Sequence, residues 1–227
     1  MSLLVNSYLK EVISMLANDF DYVVIDGEAG IEQISRRVME QVFPGFVDRA
    51  PVERRVTRNV LSVLNPTSHV NIDYWDERLV EPTNAVTVLR TKLDPWLAEQ
   101  CEEAGVMVMP GVRVDELLSE DDQVVGIRAG EDELRAHVVV VADGVNSFLA
   151  QGAGVRPKEP AKHLAVGVKS VIGLPRNVLE DRFRLGRHDG VAYAIVGDCT
   201  QGIAGGGFLY TNADSVSVGV VLRLDDL

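Results

Sequence analysis

With only two cysteines in 227 residues, Cys101 and Cys199, the chain cannot build a four-cysteine iron–sulfur or zinc centre alone, and no C-x-x-C pair occurs. His69, His137, His163 and His188 are scattered without an H-x-x-x-H spacing, so no metal site is expected. Positive charge is scarce. Lys and Arg number 22 against 34 Asp and Glu, a net charge of −12 that argues against nucleic-acid binding, since phosphate contacts need clustered cations. Long apolar runs are missing. Val138-Val-Val-Val-Ala142 is typical of what occurs and falls far short of the roughly 20 residues of a spanning helix. The N-terminus, Met1-Ser-Leu-Leu-Val-Asn6, carries no basic region of the secretory kind, and a soluble cytoplasmic protein is expected. Neither G-x-G-x-x-G nor the P-loop G-x-x-x-x-G-K-[ST] occurs, so neither of the common phosphate-holding loops is available.

What is there reads as globular: 46% apolar and 25% charged residues, in a length that suits one large domain or two small ones. Apolar residues at 5, 8, 9, 12, 13, 15 and 16 predict a helix over 3–18, followed by a short apolar strand at 22–25 and a helix over 31–42 that Pro44-Gly45 stops. Strands follow at 54–64 and 70–75 around the turn cluster Asn65-Pro-Thr-Ser68, then at 85–89, leading into a helix over 91–104 with Gly105 as its stop. Further strands are expected at 106–109 and 112–118. Residues 123–129 and 133–142 should pair across the turn at 130–132, and a helix should begin after Gly144. Strand signals return at 165–172, 191–196, 208–210 and 216–222, with a short helix at 177–183. The fold class is α/β, with a mixed sheet.

Two segments could carry chemistry. In Val138-Val-Val-Val-Ala-Asp-Gly-Val-Asn-Ser147 an apolar strand ends at Asp-Gly just before a helix. Ligands of doubly wound sheets sit at that kind of joint. Asp143 would accept hydrogen bonds from ribose or ribityl hydroxyls, and Gly144 would allow close backbone approach. The other reading, which the local sequence favours, is that Asp143 caps the helix. In Thr87-Val-Leu-Arg-Thr-Lys-Leu-Asp-Pro-Trp-Leu97, Arg90 leaves a strand and enters a helix. There it can reach an anionic cofactor or pair with Asp94 at the surface.

Together, in this order, the two segments resemble the flavoproteins that include the geranylgeranyl reductases and the FixC-type electron-transfer-flavoprotein–quinone oxidoreductases. The residues concerned are Arg90-Thr-Lys-Leu-Asp-Pro-Trp-Leu-Ala98, Glu103-Ala-Gly-Val-Met-Val-Met-Pro-Gly111 with 114–118, and Ala142-Asp-Gly-Val-Asn-Ser147. Ala165-Val-Gly-Val-Lys169, Gly205-Gly-Gly-Phe-Leu-Tyr-Thr-Asn212 and 215–221 are similar to the substrate domain of that family. The resemblance covers about 43–227 and is closest to the FixC type, whose iron–sulfur partner is a separate ferredoxin. It implies FAD as cofactor and electron transfer to a quinone-like or isoprenoid acceptor, with an electron-transfer flavoprotein or a ferredoxin-like carrier as partner. It also implies that Arg90 contacts FAD and that Asp143, Gly144 and Ser147 lie near the ribityl and phosphate region. Gly205 to Gly207 would form a close-packed turn in the substrate domain. No catalytic acid or base is nominated, because the isoalloxazine carries the redox chemistry.

The chain departs from this family in lacking its opening G-x-G-x-x-G and its later G-D-A segment; Gly197-Asp198-Cys199 mimics the latter but sits in the substrate region. Residues 7–42 resemble instead a MinD-like ATPase of carbon monoxide dehydrogenase maturation, with Asp26 near the Mg²⁺-nucleotide. These readings imply an incomplete or chimeric oxidoreductase, a junction of two gene fragments. The alternatives are an ATPase fragment and a noncatalytic remnant that binds no cofactor. The expected domains are an ATPase-like segment at 1–42, a partial FAD-binding domain at 43–64 and 85–155, and a β-rich substrate domain at 65–84 and 156–227. The strand at 22–25 would stand in for the missing first strand of the flavin domain.

Overall fold

The computed structural model describes residues 40–41, 43–76, 79 and 85–227. The expectations for 3–39 and the pairing of 22–25 lie outside these residues. In chain order the elements are α1 (Phe46–Arg49), β1 (Val52–Leu64), β2 (His69–Trp75), β3 (Ala85–Val88), α2 (Arg90–Glu103), β4 (Glu116–Glu120), β5 (Gln123–Ala129), β6 (Asp132–Arg135), α3 (Phe148–Gly152), β7 (Ala165–Gly173), α4 (Arg176–Phe183), β8 (Asp189–Gly197), β9 (Gly205–Thr211) and β10 (Ser215–Arg223). Single 3₁₀ turns lie at Ala161–His163 and Asp198–Thr200. The chain has a mixed α/β fold, and its described residues divide into two compact units, one of those up to 104 with 160–227 and the other of 105–159.

The larger unit is built on a seven-stranded sheet ordered β2-β1-β8-β9-β10-β7, with β3 also against β1. β1 organises it. Its residues 55–64 run parallel to β8, so β3 (against 52–56) and β2 (against 58–64) share its other edge, both antiparallel. Residues 165–223 form mostly antiparallel strands. One sheet face carries Val60, Val191 and Val216, all buried, and α4 lies on it: Leu179 is fully buried and Phe183 meets Tyr193 edge-on at 6.3 Å. The opposite face, carrying Leu61, Val63, Val70, Ile72 and Val196, leaves these side chains exposed. A separate small core joins α1 to α2. Phe46 and Leu93 are buried there, and Trp96 meets Phe43 and Phe46 edge-on at 5.2 and 5.8 Å. Gly45, in the left-handed region (φ 77°), turns the chain into α1, and the Glu40 carboxylate accepts hydrogen bonds from the Gly45 and Val47 N–H groups at 2.9 and 3.0 Å.

In the smaller unit the described residues form the antiparallel sheet β4-β5-β6 and the one-and-a-half-turn α3. The turns fall at Asp121–Asp122 and at Gly130, all in the left-handed region. Two expected strands do not form. Residues 106–109 and 138–142 have no ladder, and Met107 is 81% and Val138 68% exposed. A buried parallel strand needs hydrogen-bonding neighbours and covered faces, and among the described residues neither segment has them. Thus β6 ends at Arg135, and the strand expected at 112–118 begins only at Glu116.

Residues 52–64 and 85–104 group with the large sheet, because β1 is hydrogen-bonded to β8 along nine registered pairs and β3 to β1.

Candidate functional site

Arg90 opens α2, directly after the edge strand β3. Its guanidinium is largely exposed, and its Nε donates to Asp94 Oδ1 at 2.5 Å, one helical turn on. That is the surface pairing foreseen as the alternative to cofactor contact; it orients the group without burying it. The chain on either side of Arg90 is tied down. Three residues earlier, buried Thr87 accepts from the Arg54 N–H (3.1 Å) and donates to the Thr211 carbonyl (2.9 Å). Two residues later, Lys92 Nζ donates to Glu53 Oε1 at 2.7 Å. Glu53 has a side chain only 3% exposed, and its Oε2 accepts from the Ala213 N–H at 2.9 Å. This bond raises the pKa of Lys92 above its ordinary value, with partial burial opposing it.

Beside Glu53 is a buried arginine that the sequence reading did not single out. The Arg54 side chain is 1% exposed. Its Nε donates to the Asn212 carbonyl (2.7 Å), Nη1 to the Asp189 (2.9 Å) and Gly186 (3.2 Å) carbonyls, and Nη2 to Glu180 Oε1 (3.2 Å) and the Ala213 carbonyl (3.2 Å). One side chain thus joins β1 to α4, to the 186–189 turn and to the β9–β10 turn. Asn212 is fully buried in that turn, its Nδ2 donating to Ser215 and Ser217 Oγ at 3.1 Å each. The available signal was positional: Arg54 shares a buried row with Val56, Val60 and Ser62. A charge on such a row must find partners.

Asp143, Gly144 and Ser147 lie together in the smaller unit. Asp143 Oδ2 accepts from the Leu149 N–H at 2.8 Å, the helix-capping role foreseen as its alternative. Buried Ser147, itself in the left-handed region, donates to the Gly144 carbonyl at 2.6 Å and accepts from Arg156 Nη1. Gly144 has φ 72°, and among the described residues nothing lies within 4 Å of where a Cβ would stand. Its backbone is therefore open to close approach. In the same unit the Gly130 N–H, and next the Arg113 guanidinium, hold the Asp115 carboxyl below its ordinary value; Arg135 does the same for Glu120.

Gly205 to Gly207 do not form the expected turn; they open strand β9. A Cβ at Gly205 would stand 2.0 Å from the Val221 carbonyl oxygen, and one at Gly206 would stand 2.8 Å from that of Ile195. The glycines let β9 lie close between β8 and β10, which is the close packing expected, achieved in a ladder. Gly197 closes β8 and Asp198–Thr200 is a 3₁₀ turn of the larger unit.

A family model described as FAD binding domain matches residues 29–185, more than half of the chain. The chain belongs to this FAD-binding family. FAD is the family's cofactor. The chain is 48% identical over 190 residues to the probable electron transfer flavoprotein-quinone oxidoreductase YdiS of Escherichia coli K12, covering 83% of this chain and 44% of YdiS. It is 44% identical to the FixC protein of Salmonella typhi with the same coverage, and 36% identical over 189 residues to YgcN of Escherichia coli K12. The chain thus spans less than half the length of these relatives. Among solved structures it is similar to the flavin-dependent brominase Bmp2 (TM-score 0.57, 17% identity, 89% of this chain and 48% of that one) and to FqzB (TM-score 0.57, 16% identity, 88% and 46%), likenesses that concern the fold.

None of these comparisons supports the MinD-like reading of 7–42. The family match begins at residue 29, inside that segment. Against FAD, the residues present fit in part: an exposed cation at a helix start, a carboxylate beside an open glycine, and no G-x-G-x-x-G loop in this chain for the pyrophosphate. Among the described residues no helix is long and apolar enough to cross a membrane, and no His, Cys, Asp and Glu group could hold a metal ion.

Proposed function

We propose that this chain is an FAD-binding portion of a FixC-type oxidoreductase that passes electrons from a reduced carrier to a quinone-like acceptor. The observation that carries this reading is the 44–48% identity, over 190 residues, to FixC and to the probable electron transfer flavoprotein-quinone oxidoreductase YdiS. When bound, FAD supplies the electron-transfer chemistry. The chain's own residues bind and orient. Arg90 offers a cation to the cofactor's phosphates, Asp143 accepts from its hydroxyls, Gly144 admits it to the backbone, and Ser147 holds the Gly144 turn through the Gly144 carbonyl. An electron-transfer flavoprotein or a ferredoxin-like protein is the donor.

The test is anaerobic reduction of the FAD-loaded chain by reduced electron-transfer flavoprotein, followed by a water-soluble quinone. Reoxidation by quinone at a rate above that of free FAD supports the reading. Reoxidation no faster than free FAD under the same conditions removes it and leaves a noncatalytic FAD-family domain.

A further inference from the structure

We infer that Glu53 is a positioning residue: its buried carboxylate fixes the first turn of α2, and with it the backbone that carries Arg90. The inference of a use for that positioning rests on the reading of Arg90 as an FAD contact. The geometry of the tether does not.

Two tethers bracket Arg90, and both lead to the same two pieces of chain. On the N-terminal side Thr87 joins the Arg54 N–H to the Thr211 carbonyl. On the C-terminal side Lys92 joins Glu53, whose second oxygen takes the Ala213 N–H. Residues 53–54 and 211–213 are thus cross-linked by hydrogen bonds that pass on each side of residue 90. Arg54 adds two direct bonds between the same pieces, to the Asn212 and Ala213 carbonyls. A helix start is ordinarily the loosest part of a helix, because its first N–H groups lack intrahelical acceptors. Leu89, which precedes α2, provides no side-chain cap. The Glu53–Lys92 bond therefore substitutes for a cap, acting on a side chain of the first turn instead of on its N–H groups. Because Glu53 is buried while the Arg90 head is exposed, the tether restrains the backbone and leaves the guanidinium accessible.

The test is hydrogen exchange of the full chain, read on peptides covering 88–97, in Lys92→Met, Glu53→Gln and Lys92→Arg variants, with FAD affinity measured on each and on Arg90→Met. Lys92→Met and Glu53→Gln are expected to exchange roughly tenfold faster over 89–94, the factor for losing one charge-assisted hydrogen bond, with 123–135 unchanged. Lys92→Arg keeps the ion pair and is expected to restore protection. Glu53→Gln still accepts from Ala213, so it separates loss of the charge pair from loss of the fold. Unchanged exchange over 89–94 in both variants overturns the positioning role, as does failure of Lys92→Arg to restore it. If exchange rises as expected but Arg90→Met binds FAD as the unaltered chain does, the positioning role stands and the reading of Arg90 as an FAD contact fails.

Discussion

Replacing Arg54 by methionine removes the charged head from a site where its three nitrogens meet four backbone carbonyls within 3.2 Å and the Glu180 carboxylate, and leaves an apolar stem of similar length. The Arg54 side chain is 1% exposed, so water does not reach its position in the native fold. Removing one partner of a buried ion pair costs about 3–5 kcal/mol, chiefly because the other groups are left unpaired. Glu180, 26% exposed, can turn toward solvent, which places the expected loss near the lower end, about 3 kcal/mol. For a domain of this size that corresponds to a fall in Tm of roughly 6–12 °C. Trp75 and Trp96 are the only tryptophans and both lie in the larger unit, so fluorescence-monitored denaturation reports on that unit alone. Arg54→Lys keeps the charge but not the planar fork and should recover only part of the loss. A methionine variant within about 1 kcal/mol of the unaltered chain would refute the role of Arg54 as the junction of β1, α4 and the two turns.

The Glu53–Lys92 bond sets a pH dependence. The folded pKa of Lys92 is raised, so its contribution is complete below the ordinary lysine value of about 10.4 and is lost as pH rises through the higher folded value. The exchange difference between the unaltered chain and Lys92→Met should therefore be constant from neutral pH to about 9.5 and shrink above about 10.5. Asp115 and Glu120 have lowered values, so what they contribute is present above the ordinary carboxylate range of about 4 and is lost as pH falls through their folded values. Amide protection in 116–135 should fall under acid before pH affects the Trp96 environment. Val138→Lys should change stability by no more than about 0.5 kcal/mol, because that side chain is largely exposed; a loss above about 2 kcal/mol would show 138–142 to be a buried strand after all.

Helix α2 and the strands of 165–223 were legible because their signals are local. The β-branched run of 216–222 and the Arg90–Asp94 spacing lie within single elements. What failed was non-local. The run at 106–109 read as a strand and that at 138–142 as a buried one, yet a strand exists only where neighbours exist, and the described residues supply none. The parallel pairing of β1 with β8 joins residues about 130 apart in sequence, and no periodicity reveals it. Arg54 was invisible for the same reason: its partners lie at 180, 186, 189, 212 and 213. Asp143 caps α3 and Arg90 pairs with Asp94, the alternatives that each segment carried from the start.

The most direct test of FAD binding by this chain is a visible absorption spectrum of the purified protein after incubation with excess FAD and desalting, compared with that of Arg90→Met and Asp143→Asn. A flavin band retained by the unaltered chain and weakened in both variants is the expected result, with Arg90→Met losing more because, in the proposed role, it removes a charge set against phosphate. A colourless unaltered chain would contradict FAD binding by this polypeptide, and a band equally strong in all three would contradict the assignment of these residues.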